Sequence, residues 1–105
     1  MPAPAPAAPK ERPCLDAVKK VYAAFDAVHD VTNSELDDEE RATVLILLTE
    51  ARNLALECGS EKLVDGADAL RMQVVPKAKI TDIQTEVGEL KKAAKEEWMK
   101  SLKSP

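Results

Sequence analysis

The sequence predicts an all-α fold, a small antiparallel bundle of about four helices. Strand-forming residues are scarce, since only three of the 105 residues are aromatic, and alanine, leucine, glutamate and lysine dominate the composition. Apolar residues recur at spacings of three and four along four successive stretches. The breaks between the first three stretches are only two or three residues long, which favours antiparallel neighbours.

Proline and alanine alternate at the start of the chain, where residues 1–13 hold five of the seven prolines. This composition favours an extended, polyproline-like chain without internal hydrogen bonds. We expect a disordered tail here, with a spacer or a docking peptide as its functional alternatives. Residues 14–105 are expected to form a single helical-bundle domain, whose first helix covers about residues 14–32 with Pro13 at its first position.

Helix 2 is predicted over about residues 35–58. Ser34 with Asp37 three residues later resembles a capping pair, so the helix should begin near Glu35. Gly59 is the expected stop, because glycine readily adopts the left-handed conformation that ends a helix.

The last two helices are predicted over about residues 61–75 and 82–102. Gly66 is a weak point at which helix 3 could break. Thr81 with Gln84 resembles a second capping pair, which predicts that this pair opens helix 4.

Helix 2 contains the most apolar stretch of the chain and is expected at the centre of the bundle. On a helical wheel its apolar and small residues fall within one arc of roughly 200°. They are Leu36, Val44, Leu45, Leu47, Leu48, Ala51, Leu54, Ala55, Leu56 and Cys58. An arc that broad can contact two neighbouring helices. Ile46 falls on the polar side, which makes it a candidate for an outward-facing contact with a partner.

Two cysteines are present, Cys14 at the start of helix 1 and Cys58 at the end of helix 2. Level pairing of the two helices would put Cys14 beside Leu54, about one helical turn from Cys58, which argues against a disulfide. No secretory signal precedes them. We therefore expect two reduced thiols and a cytoplasmic protein.

Negative charge is concentrated in the middle of the chain, where residues 26–68 hold twelve acids and three bases. Five of these acids form what we call the acidic cluster at the start of helix 2. They are Glu35, Asp37, Asp38, Glu39 and Glu40. The helix dipole favours acids at this position, so a solvated helix start is one interpretation and a surface for a basic partner is the other.

Catalysis and metal binding find little support in the residues. His29 is the only histidine, and Asp26 lies three residues earlier on the same side of helix 1. A carboxylate–histidine metal site in a bundle needs a second such pair, so we expect a surface Asp26–His29 pair instead. Motifs of the P-loop, GxGxxG, HExxH and GxSxG types are absent from the sequence. We expect no enzyme activity, no metal and no cofactor.

The end of helix 4 carries three apolar residues, Trp98, Met99 and Leu102, beyond the reach of the shorter helices. Apolar residues that project past a bundle commonly mark a surface for a partner or for self-association. The alternative is that the N-terminal tail or the turn between helices 2 and 3 covers them. Lysines on the same helix could attract phosphates, but glutamates are interspersed among them.

The function predicted from the sequence is a non-enzymatic helical module that binds another protein, as an adaptor, an assembly component or a regulator. The chain could also form a homo-oligomer. The alternative is a nucleic-acid-associated accessory protein that uses the lysine-rich helix 4, although nucleic acid is not the expected partner. A membrane span is not expected, because no apolar run approaches the roughly 20 residues that one needs.

Overall fold

The computed structural model describes the backbone of residues 11–103 and the side chains of residues 14–100. Four helices follow one another along the chain. They are α1 (Glu11–His29), α2 (Asp38–Cys58), α3 (Glu61–Gln73) and α4 (Ile80–Lys103). The part of the chain that is described contains no strand, which confirms the all-α prediction. None of its helices is long and apolar enough to cross a membrane.

The four helices form an elongated bundle of 56 × 24 × 21 Å. α1 packs against α2 and α4, and α3 packs against the same two helices. The core holds mainly alanine, valine and leucine, which permits close approach of the helices. Its largest fully buried side chains are Val21, Val28, Val44, Leu48, Leu63, Ile83 and Val87.

Both ends of α1 differ from the prediction. The tail predicted over residues 1–13 lies mainly outside the described residues, but Glu11 to Pro13 belong to the helix. Pro13 stands in the first turn, where an intrahelical N–H bond is not needed. The helix ends at His29, three residues early, because the side chain of Gln84 donates hydrogen bonds to the carbonyls of Val28 at 2.8 Å and Val31 at 3.3 Å.

Gln84 therefore caps the end of α1, and its predicted role in opening helix 4 is wrong. α4 begins at Ile80, ahead of Thr81, and the Ile80 N–H donates to the carbonyl of Ser34 at 2.8 Å. This bond ties the start of α4 to the connection between α1 and α2. Thr81 and Gln84 have the spacing of a capping pair, but the side chain of Gln84 binds the end of α1 instead.

The start of α2 lies three residues later than predicted. Asp37, and not Ser34, is the N-cap: its carboxylate accepts from the Glu40 N–H at 2.7 Å, and the Glu40 carboxylate accepts from the Asp37 N–H at 2.9 Å. These reciprocal bonds form a capping box, which satisfies two backbone donors at once. Gly59 ends the helix in the left-handed conformation, as expected, with φ of 81°.

α3 runs without interruption through Gly66, so the break considered there does not occur. The missing side chain serves packing, because a Cβ atom at this position would lie 2.7 Å from Leu90 Cδ1 on α4. The glycine thus allows α3 and α4 to approach closely. The helix ends at Gln73, two residues earlier than predicted.

α2 packs on α1 and α3, as its broad apolar arc predicts, but it is not more central than the other helices, each of which also packs on two neighbours. Val44, Leu48 and Ala55 are fully buried. Ile46 is 59% exposed, as the wheel predicts, whereas Leu56 is 53% exposed, although the arc included it. Leu56 stands at the edge of the arc in the last turn of α2, where the chain departs toward α3 and no helix covers it.

The cysteines are not free. A disulfide joins Cys14 to Cys58, whose Cα atoms are 5.2 Å apart, so the prediction of two reduced thiols is wrong. α1 and α2 do not pair level with each other, as the prediction assumed. The connection between them has eight residues, which allows α2 to be shifted along α1. The ion pair between Lys20 Nζ and Glu50 Oε1 at 2.9 Å shares this shifted register.

Candidate binding groove

An apolar groove of about 510 Å³ opens between α1 and the C-terminal part of α4. Six of its lining residues come from one face of α1, at the spacings of three and four that bring side chains together on a helix. The lining residues are Leu15, Val18, Lys19, Tyr22, Ala23, Asp26 and Trp98. We call this the α1–α4 groove; its walls are apolar and aromatic, and one base and one acid belong to its lining.

Trp98 forms the α4 wall of the groove. It is half-buried and packs against the core, while its neighbour Met99 is 46% exposed. The side chain of Leu102 lies outside the described residues. Of the three apolar residues predicted to project from the bundle, Trp98 is therefore partly buried and lines the groove together with residues of α1.

The turn between α2 and α3 reaches α4 just before Trp98. Ser60 Oγ donates to Glu97 Oε1 at 2.7 Å, and Lys62 Nζ pairs with Glu96 Oε1 at 3.2 Å. Ser60 precedes α3 and Lys62 lies in its first turn, and neither residue lines the α1–α4 groove. The turn therefore holds α4 in place without filling the groove.

The aromatic side chain of Tyr22 is held from α4 by a cation–π contact. Lys91 Nζ lies 4.9 Å from the ring centroid of Tyr22 and 4.0 Å from that of Phe25. Such contacts orient the ring and contribute roughly 0.5–1 kcal/mol at partly exposed sites. Tyr22 is not among the candidate site residues predicted from the sequence. The signal that could have indicated it is the spacing of three and four residues that places it on one face of α1 with Leu15 and Val18.

The disulfide adjoins the groove. Cys14 directly precedes Leu15, the lining residue nearest the start of α1. The bond ties the first turn of α1 to the end of α2, so that this wall of the groove is fixed covalently to the bundle. A rigid wall reduces the entropy that a ligand must overcome when it binds.

The acidic cluster is largely used in local structure. Asp37 and Glu40 form the capping box, and Asp38 Oδ1 accepts from Arg41 Nη2 at 2.7 Å. Glu35 and Glu39 are exposed. The described residues contain no group of three or more histidine, cysteine or acidic side chains able to hold a metal ion. Solvation and capping account for the cluster, and its role as a partner surface stays a prediction.

The expected pair of Asp26 and His29 does not form. His29 Nδ1 lies 3.2 Å from Asp30 Oδ1, and its ring contacts Phe25 with 5.2 Å between centroids. Both His29 and Asp30 are exposed. Asp26 belongs instead to the lining of the groove, in which it is the one acidic residue.

A second charged group lies between α2 and α3. Asp68 accepts hydrogen bonds from Arg52 Nε and from Arg71 Nη1, each at 2.9 Å. The hydrogen bond from Arg52 is the main cause that lowers the pKa of Asp68 below its ordinary 3.8; partial burial opposes it, and Arg71 lowers it further. The carboxylate is thus held ionised between two guanidinium groups.

Stability should depend on pH through Asp68. Because its folded pKa is lowered, its contribution is present above pH 3.8 and is lost as the pH falls through the folded value. Asp68→Asn should therefore be less stable than the wild type near neutral pH, and the difference should shrink in acid. Urea denaturation at several pH values measures this. A constant difference at all pH values would contradict it, and Asp65→Asn on the same helix serves as the control.

Two other exposed apolar residues line smaller grooves that have no aromatic side chain in their lining: Leu56 in one of about 410 Å³ and Met72 in one of about 420 Å³. Met72 is 79% exposed and Val75 is 47% exposed, both near the end of α3, while Ile46 stands on α2. Isolated apolar side chains on a surface are common and need no ligand to explain them. Ile46 therefore stays a candidate contact without further structural support.

Comparisons of the chain with protein-family models, with characterised proteins and with solved structures found no match. We therefore infer the function from the geometry of the bundle itself. Among the surfaces described, the α1–α4 groove combines apolar walls, aromatic side chains and a fixed backbone.

Proposed function

We propose that this protein is a non-enzymatic helical module that binds another protein through the α1–α4 groove. The observation that carries the proposal is the groove itself, which Tyr22 from α1 and Trp98 from α4 line together with the apolar side chains of Val18 and Ala23. Tryptophan and tyrosine in desolvated pockets are the side chains that most often dominate the energy of protein–protein binding.

The charges of the groove agree with a protein ligand. Lys19 and Asp26 stand seven residues apart on α1, about 10 Å along the helix axis. An apolar centre with polar groups near it is the usual composition of a protein interface. The two opposite charges would set the direction in which a bound segment lies.

The proposal includes the antiparallel arrangement expected from the sequence. It is supported by pairs that link early residues of one helix to late residues of the next. They are Cys14 with Cys58, Lys20 with Glu50 and Lys62 with Glu96. In such a bundle the start of α1 and the end of α4 lie at the same end, as the groove requires.

Nucleic-acid binding through α4 receives no support from a specific contact. Lys91 is engaged by two aromatic rings, Lys92 pairs with Glu89 at 3.5 Å and Lys100 pairs with Glu97 at 3.4 Å. Lysines that already have intramolecular partners neutralise fewer phosphates. We therefore retain protein binding as the function and do not propose the alternative.

Compartment and oligomeric state stay predictions. The cytoplasmic location was inferred from reduced thiols, and the disulfide removes that premise, because such bonds persist mainly in oxidising compartments. Self-association remains one way in which the groove could be used. A second copy of the chain would then be the protein partner.

Photo-crosslinking from the groove tests the proposal. A photoreactive amino acid at Lys19, an exposed position in the lining, should give a discrete adduct with a partner protein in cells that produce the chain. The same amino acid at the exposed Thr85 of α4, outside the groove, should not. Equal labelling from both positions, or no partner adduct from position 19, would argue against protein binding through the groove.

A further inference from the structure

We propose that the α1–α4 groove takes a proline-rich segment, and that this segment is the chain's own residues 1–10. The inference rests on the proposed function in that it uses the same groove as a binding site. It adds the chemical class of the ligand and a regulatory consequence, since a groove filled by its own chain must be vacated before a partner binds.

The chemistry of the groove fits proline. Grooves that bind polyproline segments are lined by aromatic side chains, between which the flat pyrrolidine rings pack. Tyr22 from α1 and Trp98 from α4 provide two such side chains, and Leu15 and Val18 belong to the same apolar lining. The polyproline conformation has no internal hydrogen bonds, so binding leaves its backbone carbonyls able to face water.

The sequence of residues 1–10 supplies the ligand. Prolines occur at positions 2, 4, 6 and 9, and every residue between Pro2 and Pro9 that is not proline is alanine. Alanine adds no bulk that the groove would have to accommodate. Proline also limits the unbound chain to few conformations, which lowers the entropy lost on binding.

The segment is long enough to reach. α1 begins at Glu11, four residues before Leu15 at the near end of the groove. Ten residues of polyproline helix span about 31 Å, whereas Leu15 to Asp26 measures about 16 Å along α1. Half of the segment covers the groove, and the other half is available for the chain to reverse from the start of α1.

Trp98 provides the measurement, because it is the only tryptophan in the chain and forms one wall of the groove. Deletion of residues 2–9 should shift its fluorescence emission to longer wavelength and increase its quenching by acrylamide. A synthetic peptide of residues 1–10, added to the deletion variant, should reverse both changes. The difference between the full chain and the deletion variant should be the same at all protein concentrations, as expected for a contact within one molecule.

Matched variants identify the groove as the place of contact. Ala23→Glu puts a carboxylate at a half-buried position in the lining of the groove, and it should abolish the effect of the peptide. Ala69→Glu, at an exposed alanine of α3, should leave the effect unchanged. If Ala23→Glu does not fold, the peptide titration of the deletion variant alone decides.

Two results would overturn the inference. One is a Trp98 emission spectrum unaffected by the deletion and by the peptide. The other is a spectral difference that grows with protein concentration, since the segment would then come from a second copy. Crosslinking from Lys19 distinguishes a failure of this inference from a failure of the proposed function. A partner adduct that is unchanged by the deletion would mean that a partner binds in the groove and that residues 1–10 do not occupy it. An effect of residues 1–10 on Trp98 without any partner adduct would contradict the proposed function and leave this inference standing.

Discussion

Replacing both Cys14 and Cys58 by serine is expected to lower the free energy of unfolding by about 3–4 kcal/mol, the value that chain entropy assigns to a loop of this size. The bond closes a loop with a sequence separation of 44. A domain of about 100 residues has a net stability of about 5–15 kcal/mol, so the loss is a large fraction of the total. Urea denaturation followed by circular dichroism measures it.

The wild type in reducing agent is the matched control for this variant. Reduction should lower the urea midpoint to the value of the serine double variant, and reducing agent should have no further effect on that variant. An unchanged midpoint after reduction of the wild type would mean that the folded protein does not depend on the bond. The first turn of α1, with Leu15 in the groove, is the part expected to loosen when the bond is absent.

Leu48→Ala is expected to destabilise the protein by about 3–5 kcal/mol, the upper part of the range for a leucine removed from a packed core. Leu48 is fully buried in the middle of α2, the helix that packs on both α1 and α3. Neighbouring helices cannot collapse into the space, because the disulfide and the Lys20–Glu50 pair fix α2 against α1.

Ile46→Ala is the control, two residues away on the same helix. Ile46 is 59% exposed, so its truncation should change stability by no more than about 0.5 kcal/mol. Thermal or urea unfolding of both variants compares the two positions directly. Similar losses at both positions would mean that α2 presents a different face to the core.

The helices could be predicted from the sequence because their signals are local. Apolar spacing and the glycine at position 59 fixed the extent of α2 to within three residues of its observed bounds. The predicted helix ends were wrong where contacts between distant parts of the chain determine them. Gln84 caps α1 instead of α4, and the competing capping boxes Ser34–Asp37 and Asp37–Glu40 have the same spacing in the sequence.

The disulfide and the groove could not be derived in the same way. Both depend on how far α2 and α4 slide along α1, a quantity that the period of a single helix leaves open. The sequence predicts Trp98 as a candidate partner contact, and this stays a prediction. The residues of α1 that line the groove with Trp98 are not among the candidates, because an apolar stripe on α1 can face either the core or a groove, and the position of α4 decides between them.

The central claim is that the α1–α4 groove binds a protein segment, and crosslinking from Lys19 in paired groove variants tests it most directly. The adduct formed from position 19 should disappear in the Ala23→Glu background, which adds a charge to the apolar lining of the groove. It should persist in the Ala69→Glu background, which carries the same charge on α3. An adduct that survives Ala23→Glu in a protein of unchanged helical content would contradict the claim.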